Sequence, residues 1–109
     1  MGIDIEEIKH LSFSELKMFF TDTECDKIEQ SYNSTISFYK HWTQKESFLK
    51  AIGMGLYIPI NQVEILENKI RWDKNDWWLK EIELDEKYIS YVSHNTPISK
   101  IIMERIKYS

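Results

Sequence analysis

The apolar pattern changes period part-way along the chain, and that change constrains the fold more than any single residue does. From about Thr35 to Ile52 the residues Phe38, Tyr39, Trp42, Leu49 and Ile52 recur at helical spacings, which predicts one long amphipathic helix. Asn33-Ser34-Thr35 opens it, and Gly53 and Gly55 end it, because left-handed C-terminal positions favour glycine. Two shorter helical signals come first. Ser12 stands three residues before Glu15, a capping-box spacing, with Leu16, Phe19 and Phe20 as an apolar stripe. Thr21 or Asp22 then caps a short helix through Cys25 and Ile28 toward Tyr32. After Pro59 the segments Gln62–Leu66, Lys69–Trp72, Trp77–Leu84 and Lys87–Ser93 read as strands, with turns at Glu67-Asn68 and Asp73–Asp76. Ile98–Lys107 fits either a last strand or a short helix. At the start, Ile3 and Ile5 alternate with Asp4 and Glu6, the period of a short strand with one face to the core. Helices gathered in the first half and strands in the second predict an α+β fold. With 109 residues, no repeat and no Gly/Ser linker, the chain is expected to form one domain over residues 1–109.

Charge narrows the partners. Fourteen Lys and Arg against eighteen Asp and Glu leave a formal net charge of −4, so no global field draws the chain to nucleic acid or to anionic lipid. An anionic ligand must be held by a few placed cations or by a metal. The lone Cys25 makes no internal disulfide and suits a reducing compartment. Met1–Glu6 does not read as a signal peptide, and no apolar run approaches the ~18 residues of a membrane span. The expectation is a soluble cytoplasmic protein.

The acidic residues are the first candidates for chemistry. Asp4 and Glu6 on a strand point the same way, with Cα atoms ~6.5–7 Å apart. Two carboxylates facing one space repel, and a divalent cation turns that repulsion into a binding site; magnesium suits such oxygen ligands. A solvated edge strand explains the same spacing. Glu46 and Lys50, four apart on the long helix, share a face; they read either as a surface ion pair or as a third metal carboxylate and a cation for phosphate. Glu24 heads a short helix, where a carboxylate meets the helix dipole favourably and a capping role suffices. His10, His41 and His94 lack a ligand spacing, Cys25 has no cysteine partner, and Ser47 sits in no nucleophile motif. The group Trp72, Trp77 and Trp78 reads as core and interface, since Asp73, Asp76 and Glu81 beside it disfavour nucleic acid.

Segment order adds what the separate motifs lack. Gly2-Ile3-Asp4-Ile5-Glu6, then Phe19-Phe20-Thr21-Asp22-Thr23-Glu24, then Trp42-Thr43-Gln44-Lys45-Glu46-Ser47-Phe48-Leu49-Lys50-Ala51, then Gly53-Met54-Gly55-Leu56 resembles a phosphopantetheinyl transferase. The Trp-Thr-x-Lys-Glu-Ser form is similar to the second half of the surfactin-synthetase-activating type, and the match runs from Gly2 to about Ile60. The resemblance implies transfer of the 4′-phosphopantetheine arm of coenzyme A to a serine of an apo acyl or peptidyl carrier protein, with release of adenosine 3′,5′-bisphosphate. It further implies Mg²⁺ held by Asp4, Glu6 and Glu46, with Lys50 at the phosphate and Lys45, about 100° round the helix from Glu46, second to it. Glu24 resembles an acid near the metal-bound water, and Glu46 or Glu24 would help deprotonate the carrier serine. Gly53 to about Leu84 corresponds to the carrier-docking region. Surfactin-type enzymes have two similar halves and the smaller carrier-protein synthases assemble as trimers, so a dimeric or trimeric homo-oligomer is expected. A non-catalytic half-enzyme or partner-binding module that keeps the fold is the alternative.

Overall fold

The computed structural model describes residues 1–10, 14, 16–53 and 59–95. Its elements are β1 (Gly2–Glu7), α1 (Asp22–Gln30), α2 (Ser34–Ile52), β2 (Ile65–Leu66), β3 (Lys69–Trp72), β4 (Asn75–Glu81) and β5 (Tyr88–His94). The strands form one antiparallel sheet in the order β1-β5-β4-β3-β2. This is the α+β arrangement that the change of period predicts, and it sets α2 across β1 and β5. Among the described residues no helix is long and apolar enough to cross a membrane.

Local chemistry explains most element ends. Thr21 and Glu24 form a reciprocal capping box at the start of α1: Glu24 N–H donates to Thr21 Oγ1 at 3.2 Å, and Thr21 N–H donates to Glu24 Oε1 at 3.0 Å. Asn33 caps α2 through its side chain, and Gly53 ends it at φ 69°. Asp73 and Lys74 both have positive φ, which gives the β3–β4 hairpin a two-residue turn matched to strand twist.

Several boundaries differ from the sequence reading. The strand expected at Gln62–Leu66 is only Ile65–Leu66, because a 3₁₀ turn at Ile60–Gln62 follows Pro59. The strand expected at Trp77–Leu84 begins at Asn75, as the tight turn consumes only Asp73 and Lys74, and ends at Glu81. Helix α1 stops at Gln30 and leaves Tyr32 fully exposed. Of the helix expected after Ser12, the described part is a 3₁₀ turn at Lys17–Phe19; Ser12, Glu15, Gly55 and Ile98–Lys107 lie outside the described residues.

The core lies between α2 and the sheet, where Ile28, Phe48 and Ile70 are fully buried and the Phe48 ring meets Trp72 and Trp77 edge-on. One contact controls how closely α2 approaches β1. A Cβ on Gly2 would lie 2.1 Å from the Ser47 carbonyl oxygen and 2.4 Å from the Ala51 backbone nitrogen. Only glycine permits that distance, and the spacing sets the acids of β1 against the last turns of α2.

Candidate functional site

Strand alternation points Asp4 and Glu6 to the helix-facing side, while Ile3 and Ile5 face away and stay exposed. Glu46 and Lys50 come from α2, one turn apart on one stripe. These four charged groups converge. Asp4 is 4% exposed, and Lys50 Nζ donates to its Oδ1 at 2.5 Å. Its second oxygen, Oδ2, is buried without a hydrogen-bond partner among the described residues.

The electrostatics match that crowding. Burial first, then the Asp4 hydrogen bond and charge, push the Glu6 carboxyl up to about 7, with Glu46 adding to the rise and a Trp42 hydrogen bond opposing it. Glu46 is raised by burial and then by the Asp4 charge, with Lys50 acting the other way. The Asp4 hydrogen bond raises the Lys50 ammonium. Glu6 and Glu46 thus both resist ionising near Asp4, the behaviour of neighbouring carboxylates. A set made only of carboxylate oxygens, one of them buried without a partner, suits a hard divalent cation such as Mg²⁺. Among the described residues, no three His, Cys, Asp or Glu side chains stand around a common point where an ion would sit; on Asp4 the neighbouring cation is Lys50.

Glu24 and Lys45 form a different centre. Lys45 is fully buried and Glu24 is 1% exposed. They pair at 2.5 Å, and Lys45 Nζ also donates to the carbonyls of Phe19 at 3.3 Å and Ile60 at 3.0 Å. Glu24 Oε1 accepts from Thr21 N–H, and Oε2 accepts from Ile65 N–H at 3.1 Å. The pair ties α1, two 3₁₀ turns and the start of β2 to α2. The helix start offered Glu24 a capping role, and the resemblance set it and Lys45 near the acids. The structure shows the capping box and gives every lysine donor and both carboxylate oxygens internal partners.

Sequence reasoning set Trp42 on the apolar stripe of α2, where it packs against the core, and it also favours the ionised Glu6 carboxylate. The signal available was its position four residues before Glu46 on the same helix face. Gly2, valued only as part of a motif, sets the helix–strand distance. Its place two residues before a buried acid on a strand was the clue to a close backbone approach.

The profile of the 4′-phosphopantetheinyl transferase superfamily matches residues 1–98. This chain belongs to that superfamily. Within it, the chain is similar to the 4′-phosphopantetheinyl transferase gsp of Aneurinibacillus migulanus, 42% identical over 71 residues that cover 63% of this chain and 30% of the relative. It is 41% identical over 71 residues to the 4′-phosphopantetheinyl transferase Sfp of Bacillus subtilis, covering 60% of this chain and 30% of Sfp. The match therefore spans less than a third of either curated relative. The crystal structure of the holo-[acyl-carrier-protein] synthase of Thermotoga maritima shares the fold of this superfamily member, with a TM-score of 0.69 at 18% identity over 84% of this chain and 60% of that one.

Proposed function

We propose that the chain transfers the 4′-phosphopantetheine arm of coenzyme A to a serine of an apo acyl or peptidyl carrier protein and releases adenosine 3′,5′-bisphosphate. The observation that carries this reading is the convergence of Asp4, Glu6, Glu46 and Lys50 from β1 and α2, in a chain that belongs to the transferase superfamily. Asp4, Glu6 and Glu46 would hold Mg²⁺. Bound there, the ion would neutralise pyrophosphate charge and stabilise the leaving phosphate.

The remaining work falls to the chain's own groups. The Lys50 ammonium, half-exposed on the same stripe as Glu46, meets the phosphate oxygens and offsets their charge. Glu46, whose carboxyl burial raises, accepts the proton of the carrier serine as its oxygen attacks the phosphorus bearing the pantetheine arm, and a base of raised pKa suits a hydroxyl better than an ordinary carboxylate does. The bond to the adenosine-bisphosphate side breaks, and that group leaves with the electron pair. Glu24 and Lys45 act as positioning residues, since their donors and acceptors are already spent inside the fold.

The decisive experiment incubates an apo carrier with the protein, coenzyme A and Mg²⁺ and reads the carrier mass. A gain equal to phosphopantetheine is expected, and Glu46→Ala lowers its rate at least ~100-fold; an unchanged rate in that variant removes Glu46 from the reaction. Because the match covers only 30% of each curated relative, we propose that the working unit is a homo-oligomer whose interface completes the coenzyme A site. The same coverage favours a second reading, a non-catalytic half that binds a partner. No mass gain, together with stable heteromeric binding, selects that reading.

A further inference from the structure

Lys50 occupies the place where the proposed function needs a cation of another kind. Asp4 is almost wholly buried, and a buried carboxylate needs compensating charge or hydrogen bonds. The structure supplies one, the Lys50 ammonium on Oδ1, and leaves Oδ2 without a partner among the described residues. The lysine itself is lightly held: its side chain is 52% exposed, and it stands in the last turn of α2 just before Gly53, so withdrawing it breaks no core packing. The contrast with the fully buried Lys45 on the same helix is direct.

We propose that Lys50 is the resident counter-ion of the carboxylate site, and that a divalent cation binds there by displacing its ammonium from Asp4. This rests on the metal reading given above and deepens it. An ammonium and a divalent ion repel one another, and they compete for the same oxygens. While Lys50 holds Asp4, no three acids stand around one point; release of Oδ1 leaves both Asp4 oxygens available to an ion. The freed ammonium stays one helical turn from Glu46, beside the ion, where a phosphate oxygen would meet both. The contact thus keeps the buried acid neutralised at rest and gives up the lysine to the substrate when metal arrives.

Calorimetric titration of the whole chain with Mg²⁺ alone tests this without turnover. Lys50→Met binds Mg²⁺ about fivefold to tenfold more tightly than the unmodified chain, the return expected from losing a partly exposed competing pair. Lys40→Met is the control for long-range charge: it lies ~15 Å away along α2 and pairs with Glu81, and it changes affinity less than twofold. Equal or weaker binding by Lys50→Met overturns the proposal. Amine labelling of the unmodified chain, read residue by residue by mass spectrometry, gives a second measure. Lys50 labels several-fold faster at saturating Mg²⁺, and Asp4→Asn labels fast without metal; a Lys50 that stays protected at saturation overturns the proposal while leaving the metal site standing. Absence of Mg²⁺ binding in both the unmodified chain and Lys50→Met defeats the metal reading and this inference together.

Discussion

Two of the lysine–carboxylate pairs on helix α2, those of Lys45 and Lys50, stand a little over one turn apart and are finished to different degrees. Lys45 and Glu24 are both buried, and the lysine spends its three donors on Glu24 and two carbonyls while the glutamate takes two backbone N–H groups as well. Lys50 and Asp4 pair with one partner at the surface and the other inside, and one aspartate oxygen stays unmatched among the described residues. The same pairing of a lysine with a carboxylate thus serves two ends. A pair with every polar atom satisfied fixes structure. A pair with capacity left over can exchange partners.

Breaking the finished pair gives the largest expected effect. Lys45→Met strands the Glu24 carboxylate in the interior and costs about 3–5 kcal/mol, read as a lower urea midpoint. A loss below about 1 kcal/mol would put the two pairs on the same footing. At the other pair, Lys50→Met changes urea stability by less than about 1 kcal/mol, as half-exposed pairs do. Between these lies the spacing that brings the acids to α2. Gly2→Ala forces a methyl into the Ser47 carbonyl, costs about 1–3 kcal/mol, and weakens Mg²⁺ binding as α2 lifts from β1. Unchanged stability and unchanged metal binding would separate that contact from the site.

The pH dependence sharpens the comparison further. Glu6 rises from an ordinary 4.5 to about 7, so across that interval the folded chain holds a proton that the unfolded chain has released. Stability of the metal-free protein in chelator therefore falls as pH rises from about 4.5 to about 7, by something on the order of 1 kcal/mol after solvent screening. Burial of His41 works in the opposite sense, so the quantity to measure is the difference between the unmodified protein and Glu6→Gln. In chelator, a difference of opposite sign contradicts the crowded-acid reading.

Much of this was legible in the sequence, for identifiable reasons. The long helix and the β3 strand follow from apolar period because each buries its apolar face. Strand β1 forms where period two predicts it but turns Ile3 and Ile5 outward and buries Asp4 instead, because Gly2 and Asp4 lie against α2. Segment order pointed to the superfamily and set Asp4, Glu6, Glu46 and Lys50 together. The capping role of Glu24 was legible at the helix start, but its pairing with Lys45 was not: their burial depends on the carbonyls of Phe19 and Ile60, and no local pattern reports where two separate turns will aim their oxygens. Strand β2 was overread because Val63 and Ile65 are buried, and burial alone does not separate a strand from the turn leading into it. The bond from Lys50 to Asp4 was equally hidden, since helical spacing pairs Lys50 with Glu46, and only the approach permitted at Gly2 offers it a strand residue instead.

Pairing β1 with β5 sets Gly2 opposite Ser93 and Glu7 opposite Tyr88. Strand β1 therefore stays unpaired in the sheet until β5 has been made, and pairings so distant along the chain form slowly. Asp4 and Glu6 stay in water until β1 docks against β5 and α2. The acidic centre thus waits on a long-range pairing, and helix and hairpin formation alone would be a poor gauge of how much protein is competent.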